Sequence, residues 1–117
     1  MPADSLKSLL KTALKFRDER EWKQFHSFKD LAVTLSLEAA EVLEHAQWKS
    51  EKEIVAYLKK NKEHVADELG DVLHVLLLLA EHADINLANA FDAKMKKNRA
   101  KYPVHKAHGS AKKYTEL

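Results

Sequence analysis

Hydrophobic positions recur at helical spacing along most of the chain. Leu6, Leu9, Leu10, Ala13, Leu14 and Phe16 predict a first helix from about Asp4 to Arg20. An aromatic-rich link follows, with Trp22, Phe25, His26 and Phe28. A second helix is expected to begin between Phe28 and Asp30 and to continue to about Trp48. Ser50-Glu51-Lys52-Glu53 has the form of a capping box, opening a short helix that contains Ile54, Val55 and Leu58. Asn61 is the expected cap of a third long helix ending near Ala83, and Asn86 that of a fourth ending near Lys101. Tyr102-Pro103 stops the fourth, because proline pushes the residue before it out of helical geometry. The predicted class is all-α: four main helices plus a short linking helix, forming one domain over residues 1–117, with 103–117 an extended basic tail.

The third helix departs from the usual one-sided pattern. Val65, Leu69, Val72, Leu73 and the run from Val75 to Ala80 cover nearly every direction around its axis. A helix apolar on all sides has to be buried on all sides. Four helices of this size do not easily surround it, so a second copy of the chain is expected to supply the missing cover. The expectation is a homo-oligomeric helical bundle.

Composition supports helices and narrows the compartment. The 117 residues include only 2 Gly and 2 Pro, so helix breakers are few. Cysteine is absent, which removes disulfides and thiolate metal sites and suggests a reducing, cytoplasmic setting. The leading leucines are interleaved with lysine, so no signal sequence is expected. The apolar run from Val75 to Ala80 is far too short to cross a membrane. The formal net charge of +2 is unevenly placed, with residues 94–117 carrying eight Lys/Arg against Glu116 alone. An acidic body with a basic tail suits nucleic-acid binding through the tail. It equally suits metal held in the body, with the basic residues directed at a polyphosphate.

The acids favour the second reading. Glu38 and Glu41 on the second helix, and Glu68 and Asp71 on the third, are each spaced three residues apart, on one face about a turn apart. At ~100° per residue, Leu31, Leu35, Ala39 and Val42 border Glu38, while Val75 and Leu78 share a sector with Glu68 and Asp71. No Lys or Arg lies between Lys29 and Lys49 or between Lys62 and Lys94, so ordinary ion pairing explains these acids poorly. Clustered carboxylates beside apolar stripes need a cation, and oxygen-only donors suit magnesium first and manganese second. His74 reads as a packing or interface residue, and His45 and His64 as supporting or structural groups.

Ordered motifs accompany these acids. Phe16-Arg17-Asp18-Glu19-Arg20-Glu21-Trp22-Lys23-Gln24-Phe25-His26, Leu37-Glu38-Ala39-Ala40-Glu41-Val42-Leu43-Glu44 and Gln47-Trp48-Lys49 are followed by Asp67-Glu68-Leu69-Gly70-Asp71-Val72-Leu73. Lys94-Met95, Asn98-Arg99, Lys101-Tyr102-Pro103 and Lys113-Tyr114-Thr115-Glu116-Leu117 complete the set. Together they resemble the MazG-like nucleotide pyrophosphohydrolases, and within them the small dCTP pyrophosphatase branch. The resemblance covers nearly the whole chain.

That resemblance implies an all-α NTP pyrophosphatase fold and hydrolysis of a nucleoside triphosphate to the monophosphate and pyrophosphate. It assigns Glu38, Glu41, Glu68 and Asp71 as magnesium ligands, with Glu41 our choice of catalytic base. Trp22 and Trp48 are implied as walls of the base pocket, with Phe16 and His26 nearby. Trp48 is expected two to three turns beyond the acids on the same helix face. Lys94, Asn98 and Tyr102 are implied as phosphate or sugar contacts, with Arg99 and Lys101 beside them. Val75 and His74 stand where the dCTP branch usually has an aromatic or aliphatic pair, so dCTP is expected as a favoured but not exclusive substrate. The implied assembly is a homodimer or a dimer-of-dimers tetramer, without membrane or nucleic-acid partners. Two other readings remain open: a helical interaction protein that binds nucleic acid through its tail, and a di-metal carboxylate oxidase.

Overall fold

Serine side chains set where the first three helices begin. In the computed structural model, which describes residues 5–117, Ser5 accepts from the Ser8 N–H at 3.2 Å and Ser27 from the Asp30 N–H at 3.0 Å. Ser50 accepts from Glu53 at 3.2 Å, and the Glu53 carboxylate returns to the Ser50 N–H at 3.1 Å, the expected capping box. Each such cap stabilises its helix by about 1 kcal/mol. The elements are α1 (Leu6–Glu19), a 3₁₀ turn (Trp22–Phe25), α2 (Phe28–Glu44), α3 (Glu51–Lys60), α4 (Lys62–His82), α5 (Leu87–Lys101), α6 (Val104–Ala107) and a closing 3₁₀ turn (Tyr114–Glu116). No strand occurs among the described residues, so the all-α expectation holds. The predicted start at Asp4 lies outside them.

The end of α2, the cap at Asn61 and the tail differ from the sequence reading. α2 ends at Glu44 rather than near Trp48: tight turns from Ala46 to Leu43 and from Lys49 to Ala46 replace helical bonding, and Trp48 takes a left-handed φ of 65°. Asn61 stands between α3 and α4, but its side chain donates to the Tyr57 carbonyl at 3.1 Å, closing the helix behind it rather than opening the one ahead. One residue joins the two helices and serves the first. The tail is not wholly extended, since it includes α6 and the last 3₁₀ turn.

The chain divides into two compact units, one ending at Ile85 and one from Asn86 to Leu117. In the first, α2 and α4 pack along each other, with α1 and α3 also against α4. Ala13 of α1, Leu31 of α2 and Leu78 of α4 meet in its core, with Leu14 and Leu79 against them. Val75, Leu77 and Ala80 are buried as well. The apolar run of α4 is therefore covered in good part within one chain. Leu69 of α4 and Val33, Leu37 and Leu43 of α2 stay exposed. In the second unit, the Asn86 side chain caps α5 by accepting from the Asn89 N–H at 3.0 Å.

Candidate functional site

The packing of α2 on α4 brings the two acid pairs face to face. One carboxylate oxygen from each of Glu38, Glu41, Glu68 and Asp71 lies within 4.8 Å of the others. Glu38 Oε2 and Glu68 Oε2 are buried without a hydrogen-bond partner. Glu68 is pushed up to about 7, first by its hydrogen bond with Glu41, then by burial and by the charges of Glu41, Asp71 and Glu38. Glu38 is raised as well, burial first, then the charges of Glu41 and Asp71. Orphaned oxygens, mutual repulsion and an oxygen-only donor set fit a hard cation, so these four residues can hold a metal ion.

The raised values carry a sign. A fold that raises a carboxylic acid's pKa favours its protonated form. Without metal, the Glu68 contribution to stability is complete below its ordinary value of 4.5 and is lost as pH rises through about 7. The melting temperature of chelator-treated protein is expected to fall across that window. Added divalent cation should restore it at the upper end, with release of protons. A melting temperature that rises or stays level across the window would rule out the repulsion.

A cavity of ≈ 270 Å³ opens from Glu38 toward the aromatic link. Phe16, Trp22, Phe25 and His26 line it opposite Thr34 of α2 and His74 and Val75 of α4. Phe16 is fixed on three sides. Trp22 and His74 meet it edge-on, with centroids at 5.7 and 5.6 Å, and the Arg20 guanidinium covers its face at 3.7 Å. Three of the expected aromatic and histidine positions, Phe16, Trp22 and His26, thus converge on one acid of the cluster.

Trp48 does not join them within one chain. It lies past the end of α2, not further along its face, and is 92% exposed. Lys94, Asn98 and Tyr102 belong to the second unit, where their four-residue spacing aligns them along α5 and its cap. There Tyr102 packs edge-on against Tyr114 at 5.9 Å, and the Lys101 ammonium lies 4.7 Å over the Tyr114 ring. The basic tail so far reads as a local aromatic clasp.

Histidine roles divide. His45 Nδ1 pairs with the Tyr57 hydroxyl and ties the end of α2 to α3, a structural role. His64 is exposed. His74, read from sequence as a packing or interface residue, lines the aromatic cavity and buries an unpartnered Nε2. Its place three residues after Asp71, one turn along the same helix, was the available signal. The resemblance had set His74 and Val75 at a pair that shapes the nucleoside pocket, and both line the cavity; Thr34, one turn before Glu38, and Phe25 are lining residues that the sequence did not single out.

Comparison with known proteins agrees with this arrangement. The chain matches the MazG-like family over residues 33–117. It is 39% identical over 118 residues to dCTP pyrophosphatase 1 of Rattus norvegicus, covering 99% of this chain and 69% of that protein. It is 36% identical over 118 residues to dCTP pyrophosphatase 1 of Homo sapiens, with the same coverage. The crystal structure of a pyrophosphatase from Archaeoglobus fulgidus superposes with a TM-score of 0.79 at 44% identity, covering 83% of this chain and 91% of that one.

Proposed function

Because the chain belongs to the MazG-like family, we propose that it hydrolyses deoxynucleoside triphosphates to the monophosphate and pyrophosphate, with dCTP favoured and magnesium as the cation. The chain is a nucleoside triphosphate pyrophosphohydrolase. The single observation that carries the site assignment is the convergence of four carboxylates on one point beside an aromatic cavity. Glu38, Glu41, Glu68 and Asp71 would hold the cation. When bound, it offsets the triphosphate's charge and stabilises the charge that develops at phosphorus. The one-domain reading is kept as well, because the family match runs across the division at Ile85 and Asn86.

The chain's own groups do the rest. Hydrolysis needs water to attack the α-phosphorus while pyrophosphate leaves. Glu41, hydrogen-bonded with Glu68, is the carboxylate we assign to take the water's proton. Phe16, Trp22 and His26 hold the base by stacking and edge contacts. Lys94, Asn98 and Tyr102 are assigned to phosphate and sugar. Trp48, exposed in its own chain, is assigned to the base pocket of a second copy.

Trp22→Ala is expected to raise KM by about 5- to 150-fold, the loss of about 1–3 kcal/mol of stacking. kcat should change less, because stacking remote from phosphorus is present before and during reaction alike. Trp48→Ala should behave the same way, and an unchanged KM would remove that residue from the pocket. Incubating the protein with each dNTP and magnesium, then separating the products, tests the activity itself. Val75, a small buried residue in the cavity wall, leads us to expect measurable turnover of at least one dNTP besides dCTP. Exclusive use of dCTP would show that this wall does not loosen selection.

A further inference from the structure

The aromatic cavity contains polar groups whose hydrogen-bonding capacity the chain leaves unused. Thr34 commits its hydroxyl hydrogen to the Asp30 carbonyl at 2.8 Å. Asp30 gives its N–H to the Ser27 hydroxyl at 3.0 Å, yet no hydrogen bond or ion pair among the described residues engages its carboxylate. His26 and His74 line the same space without a side-chain hydrogen bond of their own. Arg17 keeps donors beyond the Nε hydrogen that it gives to Asp18 at 2.7 Å. These groups differ in what they can tell apart. A neutral imidazole presents a donor or an acceptor according to its tautomer, so either histidine adapts to its ligand. An ionised carboxylate only accepts. Asp30 therefore demands a donor and repels a carbonyl oxygen.

Its position along α2 says which donor. Glu38, Thr34 and Asp30 follow one another at four-residue steps, each turning only ~40° at ~100° per residue, and all three line the cavity. From Glu38 back to Asp30 is eight residues, about 12 Å at ~1.5 Å per residue, the length scale of a nucleotide. Asp30 is exposed as well as cavity-lining, so it stands at the rim away from the acids. A nucleotide with its phosphates at the acids and its base against Phe16 and Trp22 turns the edge of the base farthest from the sugar toward that rim. We propose that Asp30 is a specificity-determining residue, its carboxylate accepting from an exocyclic amino group such as N4 of cytosine. Uracil and thymine carry an oxygen at that place and are disfavoured. Arg17 suits the O2 carbonyl that cytosine shares with them, so it does not separate these bases. The proposal rests on the nucleotide reading above.

Base reading has to be separated from helix stability in the test. An acid in the first turn of α2 also stabilises that helix through its dipole, and this role is indifferent to the base. Accordingly, kcat/KM is compared for dCTP and dUTP in the wild type and in Asp30→Asn. The two substrates differ only in the amino or oxo group at C4 and the N3 hydrogen that goes with the oxo group. The wild type is expected to favour dCTP by about tenfold, the scale of one hydrogen bond to a charged group. Asparagine has nearly the same shape but can donate as well as accept, so in the variant the ratio should fall to within about twofold, with a gain in dUTP use. Loss of helix stability alone would lower both substrates together and leave the ratio unchanged. Equal use of the two by the wild type, or a ratio that survives in Asp30→Asn, would overturn the proposal. A wild-type preference for dUTP would overturn it too, by putting Arg17 rather than Asp30 at C4. If neither triphosphate is hydrolysed, the nucleotide reading fails, and Asp30 is judged by calorimetry with dCMP and dUMP. Tighter binding of dCMP that is lost in the variant then supports it, and any other result refutes it.

Discussion

Glu38→Gln or Asp71→Asn is expected to abolish hydrolysis, by at least about a thousandfold in kcat/KM, while leaving the helical fold in place. A cation held by four carboxylates stabilises charge at phosphorus by several kcal/mol, and each 1.36 kcal/mol is a factor of ten in rate. Removing one anionic ligand weakens both the hold on the cation and its placement. The fold should not suffer, because in the metal-free protein the acids oppose one another: Glu38 and Glu68 are both raised, partly by their acidic neighbours. Glutamine at 38 relieves that repulsion, so the melting temperature without metal should stay level or rise, and with magnesium the gain seen in the wild type should shrink. Circular dichroism and melts with and without magnesium separate this outcome from simple unfolding. Full activity in either variant would end the assignment of these residues as the metal site.

What could be read from the sequence was what repeats along a helix. Glu38, Glu41, Glu68 and Asp71 were legible because three-residue spacing fixes a shared face whatever the tertiary fold, and the missing lysines said that nothing else neutralised them. The caps at Ser50 and Asn86 were legible for the same local reason. Trp48 was misplaced because helical spacing was carried past the point where α2 stops. The chain leaves helical bonding after Glu44 and turns left-handed at Trp48, a conformation a tryptophan does not announce. Thr34 was hard to assign because its role depends on where Phe16 and Trp22, from other elements, come to rest.

Leu37→Asp and Leu69→Asp are expected to break the proposed assembly without unfolding the chain, whereas Leu78→Asp should prevent folding outright. Leu78 is 5% exposed within its own chain and sits in the core with Ala13 and Leu31. A charge there is buried without a partner, so its effect says nothing about assembly. Leu37 and Leu69 are different, 61% and 54% exposed on the two helices that carry the acids. Val33 continues the apolar stripe of α2 one turn before Leu37, and half-buried Leu73 and Leu76 continue that of α4 beyond Leu69. Covering a leucine contributes about 1.5–3 kcal/mol, and in a twofold interface each substitution is made twice. One Asp should therefore weaken dimerisation by roughly 10²- to 10⁴-fold, before any repulsion between the introduced charges is counted. Light scattering at micromolar concentration is expected to show an oligomer for the wild type and a monomer of unchanged helix content for Leu37→Asp. Activity should fall with assembly if Trp48 of one copy completes the pocket of another, and Trp48→Ala should then add little to the loss already caused by Leu37→Asp. A fully active wild-type monomer at that concentration would show that α4 needs no second copy, and that the base pocket is complete without Trp48.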